Sequence, residues 1–133
     1  NYGMDDALVE LKKEWRLAIV TSKPEPQALI AIQATGVRHY FDIVVGPNDD
    51  SEIPKAQLLE RALREMKELH GKLPPLTSCW MIGDRHHDID AGVEVGTHCA
   101  GVLWGFGSRE ELSSAGATAI VETPQELVAV LNN

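Results

Sequence analysis

Apolar and polar positions alternate along this chain in two different rhythms. Met4, Ala7, Leu8, Leu11 and Trp15 recur at helical spacing, with Asp5 and Asp6 early and Lys12 and Lys13 late, as a helix dipole prefers. Leu17-Ala18-Ile19-Val20 is then a short continuous apolar run, which predicts a buried strand. It stops at Thr21-Ser22. Pro24 and Pro26 open a helix that runs through Ala28-Leu29-Ile30-Ala31-Ile32 to a C-cap at Gly36. Phe41 to Val45 is a second strand, ended by Gly46-Pro47 and the polar loop Asn48-Asp49-Asp50-Ser51. The clearest helix starts at Pro54, with Leu59, Ala62, Leu63, Met66 and Leu69 on its buried face, and ends at Gly71 and Pro74-Pro75.

The rhythm repeats to the end. Cys79 to Ile82 is a third strand and Asp88 to Val95 a helix ended by Gly96. His98 to Leu103 is a fourth strand, followed by the loop Trp104-Gly105-Phe106-Gly107. Ser108 with Glu111, and Thr123 with Glu126, make two capping boxes, each opening a helix, with the short strand Thr118 to Val121 between those helices. Strands alternating with helices predict βαβ units. The fold class is therefore α/β, a Rossmann-like parallel sheet with helices on both faces, in one domain over residues 1–133.

Composition narrows the function. The chain carries 12 Lys and Arg against 20 Asp and Glu, a formal net charge of -8, with no basic cluster. That argues against nucleic acid or an anionic membrane as a partner. No apolar run is long enough for a membrane span, and no signal peptide is visible. Cys79 and Cys99 form no CxxC, and Cys79 reads as a small buried residue of the third strand. A reducing cytoplasm fits. The chain begins at Asn1, already close to helix-like sequence, so a piece of a longer protein is expected.

In an open parallel sheet, ligands meet the loops after the strands. Four such loops carry Thr21-Ser22, Gly46-Pro47, Gly83-Asp84 and Trp104-Gly105. Asp84 and Asp88 form an acidic pair at the end of the third strand. They suit a hard cation such as Mg2+, which keeps several waters and takes one or two carboxylates, and they equally suit a helix N-terminus. Thr21 and Ser22 offer a hydroxyl and backbone N–H groups for a phosphate, or ordinary turn chemistry. Lys55, a cation in a first helical turn where the dipole disfavours it, either reaches an anion or is solvated. His86 and His87 make no metal-binding spacing with another histidine and read as loop or supporting residues. His98, Trp80 and Trp104 read as packing residues.

Taken in order, a hydroxyl, a lysine and an acidic pair are the parts that neutralise a phosphoryl group. The sequence here resembles the haloacid dehalogenase-like hydrolases, particularly the phosphoglycolate phosphatase-like branch, over nearly its whole length. Leu17 to Pro24 looks like that family's second motif, Lys55 its third, and Gly83-Asp84-Arg85-His86-His87-Asp88 its fourth. Gly101 to Ser108 looks like the phosphatase branch in particular.

The resemblance implies a Mg2+-dependent phosphatase of small phosphorylated metabolites. Phosphoglycolate is the first expectation; pyrophosphate, a nucleotide, or a non-catalytic phosphate- and metal-binding relative are the alternatives. It implies that Thr21 and Ser22 bind the phosphoryl group, Lys55 neutralises charge, Asp84 ligates Mg2+ directly or through water, and Asp88 supports the metal or Lys55. These residues are expected to face one spot. The family's first motif, DxDx(T/V), which carries the nucleophilic aspartate, does not occur here. Asp88-Ile89-Asp90 has its spacing but belongs to a helix. The nucleophile strand and the cap domain are thus expected from elsewhere, supplied by a missing N-terminal segment or another chain, and the 133 residues alone are expected to be inactive. The strands ending at Val20 and Ile82 are expected either to gain that segment between them or to close on each other.

Overall fold

A computed structural model describes residues 3–133. Among the described residues six α-helices and five strands alternate, with α1 at Met4–Glu14, β1 at Ala18–Val20, α2 at Glu25–Thr35 and β2 at Ile43–Val45. They continue as α3 at Lys55–His70, β3 at Trp80–Gly83, α4 at His86–Val95, β4 at His98–Val102, α5 at Arg109–Ala115, β5 at Ala119–Val121 and α6 at Pro124–Leu131. The ladders among the described residues are parallel, and the α/β class is that read from the alternation. Among the described residues no helix is long and apolar enough to cross a membrane.

The chain divides into two compact units, one of residues 12–73 and one of residues 1–11 with 74–133. In the first unit β1 pairs with β2, Ala18 opposite Ile43 and Val20 opposite Val45. Helix α3 packs on both strands. Its core joins Val45, Leu58 and Ala62 with the partly buried Val20, Ile43 and Ile53. In the second unit the order is β3-β4-β5, with Trp80 opposite His98 and Gly101 opposite Ile120. Helix α4 packs on β3 and β4, α5 on β4 and β5, and α6 on β5. Ile89, Leu112, Leu127 and Val121 are among its fully buried side chains. Each such side chain contributes about 1.5–3 kcal/mol relative to exposure.

Helix ends follow local chemistry. Gly36 and Gly96 close α2 and α4 with φ of 77° and 107°, a left-handed conformation that glycine takes without a β-carbon penalty. Thr123 Oγ1 accepts from the Glu126 N–H at 3.1 Å and opens α6.

Several expectations change. Helix α4 starts at His86, so Asp88 is its third residue rather than its first. Cys79 is only half-buried, because the chain leaves a 3-10 turn at Leu76–Ser78 and enters β3 at Trp80. Leu69 is 58% exposed. The inward row of α3, through Leu59, Ala62 and Met66, next reaches His70, whose Nε2 lies 2.9 Å from Asp42 Oδ2. Position 69 is therefore turned outward. In α2 the apolar run buries only Ala28, and Ile30 is exposed. Among the described residues β1 and β3 are each edge strands with a single neighbour.

Candidate active site

Asp84 follows β3 directly, at the carboxyl end of its sheet. Its placement is dictated by backbone. The Phe106 N–H donates to Asp84 Oδ2 at 2.8 Å across 22 positions of sequence. The two residues beside Phe106 have to be glycines. A β-carbon on Gly105 would stand 2.2 Å from Asp84 Oδ2, and one on Gly107 would stand 2.1 Å from the Asp84 carbonyl oxygen. Both distances are far below any real carbon–oxygen contact. The loop after β4 therefore wraps the acid at the end of β3.

Asp88 is the one charged side chain among the described residues that is buried, at 8% exposure. Its Oδ2 accepts from the Arg85 N–H at 3.4 Å, as an acid at the third helical position does in a capping box. It lies against Gly83, where a β-carbon would stand 2.3 Å from the carboxylate. Gly83 thus leaves room for Asp88, and Gly105 and Gly107 leave room for Asp84.

The turn between these acids is held from outside. Glu111 Oε2 accepts from Arg85 Nε and from the His86 N–H, each at 2.8 Å. The capping box expected at α5 is half made: Ser108 Oγ accepts from the Glu111 N–H at 3.1 Å, while the Glu111 carboxylate is turned to the Asp84 turn instead. That carboxyl is held below the usual range, first by the Arg85 hydrogen bond and then by the His86 N–H. His86 and His87 both lie on exposed positions with their rings edge-on at 4.5 Å. His86 Nδ1 lies 2.9 Å from Asp90 Oδ2. Trp80 stacks on His98 at 5.0 Å.

An open cleft of about 320 Å3 reaches Asp84 in this unit. Ile82, Val102, Trp104 and Leu127 give it apolar walls, and Met4, Gly83 and Gly105 complete it. Trp104 is thus a cleft residue, and Phe106, next to it, is 92% exposed.

Thr21, Ser22 and Lys55 belong to the other unit. Thr21 and Ser22 leave the carboxyl end of β1, and Lys55 is the first residue of α3, entered from the carboxyl end of β2. The Lys23 N–H donates to Thr21 Oγ1 at 3.1 Å, which occupies an acceptor position of the hydroxyl and leaves its proton for another acceptor. Ser22 is exposed. The two loops are locked together by groups that sequence patterning passed over. Thr21 N–H donates to the Val45 carbonyl at 2.9 Å, and Glu25 N–H to the Pro47 carbonyl at 2.7 Å. Glu25 Oε1 accepts from the Gly46 N–H at 3.2 Å and from Arg61 Nη2. Arg61 Nη1 donates to the Gly46 carbonyl at 3.0 Å. Gly46 itself passes so close to the Lys23 carbonyl that a β-carbon would stand 2.5 Å away.

The donor set fits a hard cation. Asp84 and Asp88 supply carboxylate oxygen within one turn, and Mg2+ takes one or two such ligands with water completing its shell. Among the described residues no group of three or more His, Cys, Asp or Glu side chains converges. A closed cage built by the described side chains is therefore not what this turn presents.

Comparison with known proteins places this geometry. The family model described as haloacid dehalogenase-like hydrolase matches residues 2–102. The chain is 31% identical to the pyrophosphatase PpaX of Bacillus cereus over 126 residues, 93% of this chain and 56% of that protein. It is also 31% identical to the tyrosine-protein kinase PtkA of Mycobacterium tuberculosis over 120 residues, 89% of this chain and 39% of that protein. A crystal structure of a predicted phosphatase from Clostridium acetobutylicum superposes with a TM-score of 0.88 at 29% identity, covering 98% of this chain and 59% of that one. The chain thus spans about two fifths to three fifths of the length of the proteins it resembles.

Proposed function

The chain belongs to the haloacid dehalogenase-like hydrolases, and from that premise we propose that it forms part of a Mg2+-dependent phosphatase acting on a small phosphate monoester. The observation that carries this reading is the fixed Asp84 carboxylate at the carboxyl end of β3, aimed by the Phe106 N–H and closely approached by Gly105, with Gly107 against the Asp84 carbonyl. A carboxylate held so firmly loses little entropy on taking up a ligand.

In this reading Asp84 holds Mg2+, directly or through water, and Asp88 supports it from the first turn of α4. A cation there supplies positive charge to a phosphoryl oxygen. Thr21 donates its hydroxyl proton to the phosphoryl group, with its acceptor side already taken by Lys23 N–H. The Ser22 N–H adds a second donor, and the Lys55 ammonium offsets the charge that develops. The attacking group would be an aspartate from sequence outside these 133 residues. Its carboxylate oxygen bonds to phosphorus as the ester P–O bond breaks, and the alcohol leaves with a proton from a second outside aspartate. Water then hydrolyses the aspartyl-phosphate to inorganic phosphate and the free carboxylate. The same outside segment, or another chain, completes the sheet beside β1 and β3. Cys79 and Cys99 are free thiols, which suits the cytoplasm.

Phosphoglycolate is the first substrate to test, on the likeness of Gly101 to Ser108 to that phosphatase branch. The likeness to PpaX supports inorganic pyrophosphate as the second. A nucleotide and a non-catalytic binding role remain as further arms of the test. The experiment is a Mg2+-dependent phosphate-release screen on the full-length gene product, with Asp84→Asn as control. Activity lost in that variant supports the reading. Release that persists undiminished in Asp84→Asn removes the acid from the chemistry.

A further inference from the structure

Glu111 forgoes a local bond for a distant one. At the third position of a helix whose N-cap is serine, a glutamate ordinarily returns to the N-cap N–H. Here its Oε2 crosses 26 positions to Arg85 Nε and 25 to the His86 N–H. Both donors lie within two residues of Asp84. The Glu111 carboxylate also lies 3.4 Å from where a β-carbon on Gly107 would be, and that same β-carbon would collide with the Asp84 carbonyl. One carboxylate therefore stands against both arms that hold Asp84, the β3–α4 turn and the loop after β4.

We propose that Glu111 is a positioning residue for the metal site: through Arg85 and His86 it fixes the turn that aims the Asp84 carboxylate at Mg2+. The proposal rests on the Mg2+ reading of Asp84 given above. Glu111 does not touch the metal. It acts on the two residues that follow the ligand, so its removal deletes no ligand oxygen but frees the turn that carries Asp84. Groups in this relation to a metal ligand typically alter metal affinity by about 10–100-fold when removed. The Ser108 cap of α5 uses the Glu111 backbone rather than its side chain, so α5 keeps its N-terminus when the carboxylate is cut away.

The test is isothermal titration of Mg2+ into the full-length gene product, metal-free at the start. Wild type, Glu111→Ala, Glu111→Gln and Asp84→Asn are compared, each with its metal-free melting temperature. The expected Kd for Glu111→Ala is about 10–100-fold weaker than wild type. Glu111→Gln keeps an acceptor oxygen but loses the charge that strengthens both bonds, so its Kd falls between the two. A folded Glu111→Ala protein with a Kd within about twofold of wild type overturns the proposal. Should the alanine variant not fold, the glutamine variant decides in the same way, an unchanged Kd overturning it. Failure of the underlying reading has a different signature: Asp84→Asn then binds Mg2+ as wild type does, or wild type does not bind it, and the role of Glu111 falls with it.

Discussion

Glu25 and Glu111 perform the same act in the two units of this molecule. Each stands in the first turn of a helix, and each accepts from one backbone N–H and one arginine beyond that helix. What they secure differs. Glu25 and Arg61 frame Gly46, tying the loop after β2 to α2 and α3. Thr21 stands beside that frame, its hydroxyl taking only the nearby Lys23 N–H among the described residues. Glu111 instead secures the turn that contains Asp84, whose carboxylate is bonded by Phe106 N–H and approached by Gly105, and whose carbonyl is approached by Gly107. On the proposed function, the hydroxyl that would rotate to meet a phosphoryl group is left room beside a rigid frame. The carboxylate that would hold a cation is itself made part of the frame.

The sharpest way to break this contrast is at Gly107. Gly107→Ala puts a β-carbon 2.1 Å from a backbone oxygen that no side-chain rotation can move. We expect destabilisation of about 3 kcal/mol, at the upper end of overpacking costs, read from urea unfolding. Gly105→Ala meets the Asp84 side chain instead, so it should weaken Mg2+ binding more than stability. Next comes Arg61→Ala, which deprives Glu25 and the Gly46 carbonyl of their cation. The group is partly exposed, with 27% of its side chain accessible, so the expected loss is discounted to about 1 kcal/mol.

Acid sharpens the comparison further. The Glu111 carboxyl is held low by Arg85 and His86 N–H. Burial alone would raise the Asp42 carboxyl, but its bonds to His70 and Lys12 and their charges outweigh that and lower it. Both groups thus bind protons more readily in the unfolded chain. The stability they contribute is present above the ordinary carboxylate range and lost as pH falls through their depressed values, below about pH 5. Urea midpoints measured at neutral and acid pH should differ less in Glu111→Gln and Asp42→Asn than in wild type. The smallest effect is expected at Phe106. Its ring is 92% exposed and its N–H does the holding, so Phe106→Ala should change stability by less than about 0.5 kcal/mol.

Much of this was legible in order along the chain. Apolar runs at Ala18, Ile43, Met81 and Ala100 each lead into a polar loop, and those loops carry Thr21, Gly46, Asp84 and Trp104. Periodicity located α3 but carried one turn too far, because His70 turns inward to Asp42 and leaves Leu69 in water. The Glu25–Arg61–Gly46 lock joins residues 21 and 36 positions apart, and no local pattern marks a pair of that separation. Glu111 was visible as a capping residue, yet its carboxylate answers to Arg85 rather than to its own helix. The glycines at 105 and 107 were legible only as members of the loop after the fourth strand; their meaning is the volume Asp84 occupies, which appears only when β3 and β4 lie side by side.

The most direct trial of this account is a crystal structure of the full-length gene product grown with Mg2+. The account predicts an ordered ion whose coordination shell contains an Asp84 oxygen, at about 2.0–2.1 Å, or a water bonded to that oxygen, with the Phe106 N–H still on Oδ2. An ordered Mg2+ whose shell and waters leave Asp84 untouched would contradict it.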